Sequence, residues 1–168
     1  MNNQYIDRSV KSVSQIKICN FAEEKIQELK FLKKLSDTEL GWEPPQEYLD
    51  EWVRAVLGIS RHDQNLVKIA YADGKMVGYC ISVKRLHNYD GVVMDITWKT
   101  AYIWDIYVIK EYRNRGIGTA LLENVMAYLR SIGVEKVGLL VNYWNENAKR
   151  VFEKLGFRLW SHFLVKSL

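Results

Sequence analysis

The segment Tyr112-Arg113-Asn114-Arg115-Gly116-Ile117-Gly118-Thr119-Ala120-Leu121-Leu122 crowds two arginines and two glycines into six residues. A run of helix formers with apolar spacing follows at once. A helix N-terminus presents unsatisfied N–H groups and a partial positive charge. Glycine lets an anion approach the backbone closely, and arginine adds full positive charge. Together these features describe a cradle for phosphate or pyrophosphate. A basic surface turn is the plain alternative. Two nucleotide motifs do not fit: Thr119 follows Gly118 with no lysine, against a Walker loop, and Leu121 stands where a Rossmann fingerprint needs its third glycine.

Such a cradle needs a strand to deliver the chain and a helix to leave it. Ala101 to Ile109, rich in aromatic and β-branched residues, is expected as that strand. After the motif, Ile117, Leu121, Leu122, Val125 and Leu129 recur on one side of a helix that Gly133 ends. Glu135 to Val141 is nearly all apolar, the pattern of a strand covered on both faces. Strand, helix, strand in this order is a βαβ unit, so the two strands should run parallel. Asn145 begins a short helix stopped by Gly156, and Phe157 to Leu168 supplies one or two closing strands.

Upstream, Ser14 to Cys19 alternates as a strand does. Asn20 with Glu23 suggests an N-cap and a box-like partner. The helix beyond carries Ile26, Leu29, Leu32 and Leu35 on one stripe. A second helix, from Glu43 to a closing Gly58, presents Tyr48, Leu49, Trp52, Val53 and Val56. Two β-rich runs flank Asp73-Gly74, a tight-turn signal, between Asn65 and Leu86. His87 to Thr100 reads as a loop or a small excursion between strands. The order β-α-α-β-β-β-α-β-α-β describes a mixed α/β sheet in one domain over 14–168, with 1–13 as an N-terminal extension.

The chain of 168 residues suits one domain, and 48% hydrophobic with 26% charged residues is ordinary for a globular protein. The net charge of +4 suits an anionic ligand. With no run of five like charges, no nucleic acid is expected as a partner. Cys19 and Cys80 form no metal spacing, and His62, His87 and His162 form no cluster, so no metal site is expected. There is no apolar leader region and no apolar window of membrane-spanning length, so a cytoplasmic protein without a membrane partner is expected.

Arg113-x-x-Gly116-x-Gly118, five residues after Val108, resembles the acyl-CoA signature of the GNAT N-acetyltransferase superfamily. A second block, NENAKRVFEKLGF, resembles that family's N-x-x-A-x-x-x-Y-x-K-x-G-F, with Asn145, Ala148, Lys154, Gly156 and Phe157 in register. A weaker third likeness is ADGKMVGYC, similar to the family's second hairpin. The resemblance implies a mostly antiparallel sheet whose central parallel pair splays apart to admit acetyl-CoA as co-substrate. The pantetheine arm would then bond the backbone of Ile106, Tyr107 and Val108, extending the sheet. Pyrophosphate would sit on backbone N–H groups of Asn114, Arg115, Gly116, Ile117, Gly118 and Thr119. Arg113 and Arg115 would add charge, and Asn145 would reach a pantetheine amide.

The chemistry so implied is direct attack of a primary amine on the thioester, with a small amine, a polyamine or a protein N-terminus as acceptor. Phe152 replaces the tyrosine that often serves the family as general acid, and as a phenyl group it reads as core packing. Tyr102 and Trp104 stand where relatives often place a Glu or His base. Asp105 is the one carboxylate of that strand; strict alternation turns it to the opposite face, and a bulge would bring it back. Asp105 and Tyr102 are therefore the candidate catalytic groups, with Tyr143 as a further polar group. Trp42, Tyr48, Trp98 and Tyr102 are candidate liners of the acceptor site, and Glu39, Glu43, Glu47 and Asp95 could draw a cationic amine. The alternative function is a catalytically silent module that binds CoA or a partner. The resemblance leaves a homodimer open.

Overall fold

Asp73 and Gly74 both take positive φ (51° and 75°), the geometry that folds one strand directly back on the next. Around that turn, β2 (Val67–Ala72) and β3 (Lys75–Lys84) form the hairpin expected from sequence. The computed structural model describes residues 15–84 and 99–160. The N-terminal extension, most of His87 to Thr100 and the last eight residues lie outside them, as do Trp98, Asp95, His87 and His162.

The described residues form one five-stranded sheet in sequential order. β1 (Ile16–Asn20) pairs antiparallel with β2, and β3 pairs antiparallel with β4 (Thr100–Val108). β5 (Lys136–Leu139) joins β4 in parallel, as the βαβ argument requires. The helices are α1 (Ile26–Glu39), α2 (Gln46–His62), α3 (Ile117–Ser131) and α4 (Glu146–Lys154).

The sheet is buried from both sides. On one face, Leu121, Leu122, Val125 and Leu129 of α3 and Phe152 of α4 pack on Val77, Cys80, Ala101 and Ile103. On the other, Leu29 and Leu32 of α1 and Trp52 and Val56 of α2 pack on Val67, Ile69, Tyr79, Ile81 and Tyr107. β3 lies between these layers, which is why it is buried almost throughout. A fully buried Leu- or Phe-sized side chain contributes about 1.5–3 kcal/mol, so these two layers fix the sheet that carries the site.

Two sequence expectations fail locally. Asn20 does not cap a helix: it ends β1, donates to Asn65 and accepts from Lys68, and a short 3-10 turn after Ala22 leads into α1. A tertiary polar network there replaces the local cap. Gly58 does not close α2, which runs on to His62, because Ile59 continues its packed face. β5 is also shorter than its apolar run: Leu140 and Val141 fall outside it and are exposed. From Phe157 to Trp160 no strand forms.

Candidate functional site

β4 is paired on both edges at its start and on one edge at its end. Its pairs with β5 run from Thr100–Lys136 to Ile103–Leu139 and stop there. Its pairs with β3 continue to Val108–Gly78. Past Ile103 the two parallel strands therefore part, leaving the second half of β4 with an edge unpaired among the described residues. The Ile109 N–H donates to the Val77 carbonyl, so strand alternation turns the backbone N–H and C=O groups of Tyr107 toward β3 and those of Ile106 and Val108 toward the open edge. Gly78 makes the close approach possible: a Cβ there would lie 2.7 Å from the Tyr107 carbonyl oxygen.

The register of β3 on β4 slips between Ile81–Asp105 and Ser82–Ile103, leaving Trp104 unpaired in a β-bulge. Before the bulge, Ala101 and Ile103 face α3; after it, Ile106 and Val108 do. Trp104, Asp105 and Tyr107 all turn to the α1 and α2 face. Strict alternation would have sent Asp105 the other way, and the bulge corrects that expectation. Asp105 thus sits on the same face as Trp104, at the point where β4 and β5 separate.

Beyond β4 the chain makes a 3-10 turn at Lys110–Tyr112 and enters the glycine loop. Asn114 (φ 60°) and Gly116 (φ 77°) take left-handed backbone conformations, and Gly116 caps α3 without any side-chain bond. The first intrahelical bond runs from the Ala120 N–H to the Gly116 carbonyl. Backbone N–H groups from Asn114 to Thr119 have no acceptor among the described residues. A Cβ on Gly116 would meet nothing within 4 Å, so the loop is open in front of these donors. Ile117 is buried and anchors the loop, while Gly118 and Thr119 are half-buried.

The two arginines differ. Arg115 lies over the Tyr112 ring at 5.4 Å with its guanidinium exposed. Arg113 turns back: its Nε donates to the Val108 carbonyl (2.8 Å), its terminal nitrogen pairs with Glu39, and it lies over the Tyr107 ring. Tyr107 donates its hydroxyl to the same Glu39 (2.7 Å). Burial first, then Glu39, pushes the Tyr107 phenol well above its ordinary range, so it stays a donor. The side chain of Arg113 therefore clasps the end of α1 to the end of β4.

Asn145 caps α4, accepting from the Ala148 N–H at 3.2 Å. Phe152 is buried and meets Phe157 edge to face at 5.9 Å, the packing role expected of it. Tyr102 is buried in β4 before the bulge, opposite Val83 and Gly138. Tyr143 is 85% exposed. Trp42 and Tyr48 pack edge to face at 4.6 Å. Glu43 is taken by Lys34 and Thr38, and Glu47 is exposed.

Three residues at the site were not singled out from sequence: Lys33, Asp37 and Tyr79. The Lys33 Nζ lies 2.8 Å from Asp37 Oδ1 and 3.1 Å from Asp105 Oδ2. It also lies over the rings of Tyr48 and Trp52 at 5.6 and 5.9 Å. One signal was available: Lys33 and Asp37 continue the four-residue row that begins with apolar Leu29, so their side chains had to enter the core. Burial raises the Asp105 carboxyl, Lys33 pulls it back, Asp37 pushes it further, and it ends above the ordinary carboxylate range. Asp37 Oδ2, Trp52 Nε1 and Tyr79 OH are buried without a partner among the described residues. Each such atom costs about 1–3 kcal/mol.

Residues 29–157 match the acetyltransferase (GNAT) family model. N-alpha-acetyltransferase 60 of Xenopus tropicalis is 30% identical over 124 residues, 67% of this chain and 50% of that protein. Thialysine N-epsilon-acetyltransferase of Bos taurus is 31% identical over 93 residues, 54% of this chain and 52% of that protein. The chain thus spans about half the length of these curated relatives. An aminoglycoside acetyltransferase, AAC(6')-Iy, solved with a bisubstrate CoA analogue, superposes with a TM-score of 0.71 at 18% identity, over 92% of this chain and 99% of that one. The PaiA N-acetyltransferase of Thermoplasma acidophilum, solved with coenzyme A, gives 0.66 at 20% identity, over 89% and 93%.

Proposed function

The chain belongs to the acetyltransferase (GNAT) family, and from that premise we propose that it moves an acetyl group from acetyl-CoA to a primary amine. The observation that carries this reading is the coincidence of three features within a short stretch of β4 and its sequel. These are, among the described residues, an unpaired strand edge at Ile106 and Val108, a run of unsatisfied N–H groups at Asn114–Thr119, and a mostly buried carboxylate beside that edge in sequence at Asp105.

The pantetheine arm adds to the open edge of β4 as an extra strand would. The Ile106 groups and the Val108 N–H serve it, since the Val108 carbonyl already accepts from Arg113. Pyrophosphate meets the N–H groups from Asn114 to Thr119 and the positive end of α3, with Arg115 adding charge. Arg113 contributes its position and backbone, its side chain being held by Glu39. Asn145, with its carbonyl oxygen used by the cap, keeps its amide N–H groups for the pantetheine.

Acetyl transfer requires a neutral amine nitrogen. Asp105 takes the proton from the incoming ammonium, directly or through water. The amine lone pair attacks the thioester carbonyl carbon, and negative charge develops on its oxygen, which backbone N–H groups of β4 stabilise. The C–S bond then breaks, CoA leaves as thiolate, and the proton remaining on nitrogen neutralises it. Phe152 cannot supply that proton. Tyr102, buried in the first half of β4, is the second candidate polar group, as an orienting hydroxyl or proton relay. The net negative charge of the Lys33, Asp37 and Asp105 group, set among Tyr48, Trp52 and Trp104, favours a cationic acceptor such as a small amine, a polyamine or a peptide N-terminus.

The test is CoA release with acetyl-CoA against spermidine, lysine, an aminoglycoside and short peptides with free N-termini, beside calorimetry of acetyl-CoA binding. Turnover with one amine class is expected. Binding with no turnover on any of them supports the silent module instead.

A further inference from the structure

Asp105 does not stand alone: it is one corner of a buried group in which a single ammonium serves two carboxylates. Lys33 Nζ is within 3.1 Å of Asp105 and 2.8 Å of Asp37, and the side chains of Lys33 and Asp37 are 10% and 6% exposed. Two negative charges and one positive charge buried together are expensive unless geometry is good. A hydrophobic pair would serve packing at least as well at two positions of α1 that face the core. Among the described residues, the charged or titratable groups that act on Asp105 come from three elements: Lys33 and Asp37 of α1, Tyr48 of α2, and Tyr79 of β3, with Cys80 of β3 on the opposite face of the sheet. Burial raises the Tyr79 phenol and the Cys80 thiol well above their ordinary ranges, so both stay neutral. Burial also opposes the charge on Lys33, but Asp105 and Asp37 outweigh it and hold the ammonium protonated. Lys33 and Asp37 are therefore the groups whose charge acts on Asp105, and they act in opposite senses.

Resting on the reading of Asp105 as proton acceptor, we propose that Lys33 and Asp37 are positioning residues for acetyl transfer: Lys33 orients the Asp105 carboxylate and keeps it ionised, and Asp37 tempers that hold so the carboxylate can still take a proton. A lone ammonium at 3.1 Å would make Asp105 a poor base, and no ammonium would leave it neutral in its buried position. The shared lysine sets it between these limits.

The test follows the side-chain carboxyl carbons by NMR in protein labelled at aspartate, with the Asp105 signal assigned by its loss in Asp105→Asn. Lys33→Met is expected to raise the Asp105 midpoint by about one to three pH units, the usual reach of an adjacent opposite charge. Asp37→Asn is expected to lower it, and Lys33→Arg to move it far less than Lys33→Met. In the acetyl-transfer assay, the acidic limb of kcat/KM should follow the same two directions. A merely structural pair would not shift one limb both ways. Midpoints that coincide in all variants, or that move in one direction in both Lys33→Met and Asp37→Asn, overturn the proposal. Should Lys33→Met fail to fold, an unmoved midpoint in Asp37→Asn overturns it and a lowered one sustains it. Full turnover in Asp105→Asn removes the proton-acceptor reading instead, and is distinguishable because the NMR midpoints are read without substrate.

Discussion

The loop from Arg113 to Thr119 and the buried group around Asp105 lie at the two ends of one short piece of chain, yet they are built in opposite ways. The loop is made of consecutive backbone. Its donors are N–H groups left over by helix geometry, and its left-handed residues, Asn114 and Gly116, set their direction. The buried group is made of side chains from α1, α2, β3 and β4, brought together by a bulge and a double-sided core. The first tolerates almost any side chain that leaves the backbone open. The second depends on individual charges. Substitutions should therefore fail differently in the two places: by occlusion and repulsion in the loop, by loss of a specific charge in the buried group.

The sharpest contrast is Asp105→Asn, which keeps shape and removes the proposed proton acceptor. Turnover should fall roughly 10²–10⁴-fold while calorimetry finds acetyl-CoA affinity unchanged. A parallel loss of affinity would mean that the Asp105 group and the loop are not separable. Wild-type turnover should itself decline as pH falls, with its acidic limb above the ordinary carboxylate range, because burial makes Asp105 harder to ionise and only the ionised form accepts a proton.

Gly116→Asp should do the reverse. It places a negative charge within a few ångströms of a bound pyrophosphate, worth about 4 kcal/mol at a partly screened site, or roughly a 10³-fold loss of acetyl-CoA affinity. Gly116→Ala separates the causes. Its Cβ meets nothing within 4 Å, so the left-handed backbone at φ 77° should cost about 1–2 kcal/mol of stability, with affinity largely kept.

Gly78→Ala probes the scaffold that both regions share. With its Cβ 2.7 Å from the Tyr107 carbonyl oxygen, β3 must move away from β4. Thermal denaturation should show a loss of about 1–3 kcal/mol, the range for overpacking. The smallest effect is expected for Arg113→Gln. The family motif assigns this residue to the phosphate, but its guanidinium is held by Glu39 and the Val108 carbonyl. Since the pair is partly exposed, about 1 kcal/mol of stability should be lost, and acetyl-CoA affinity should change less than in a matched Arg115→Gln variant. A larger affinity loss at Arg113 would return it to the loop.

The contrast also explains what was legible beforehand. The turn into α3 could be read from Arg113-x-x-Gly116-x-Gly118 because its residues are adjacent in sequence and its conformation follows from local geometry. The hairpin at Asp73-Gly74 and the helix after Gly116 were legible for the same reason. Phe152 was correctly read as core, since its spacing on a short helix leaves it no other place. The Asn20 cap was misread because a long-range polar network outcompetes a local signal. Gly58 was misread because tertiary packing carries a helix through a poor helix former.

The sequence by itself determined the alternation of strands and helices, the parallel βαβ unit, and a glycine loop opening α3, since each depends on contacts within a few residues. The tertiary structure decided which way Asp105 points and which charges it meets. A one-residue bulge reverses every side chain beyond it, and no local pattern fixes where a strand slips against its neighbour. It also decided that Arg113 serves Glu39, because only the packed sheet brings the end of α1 beside the end of β4.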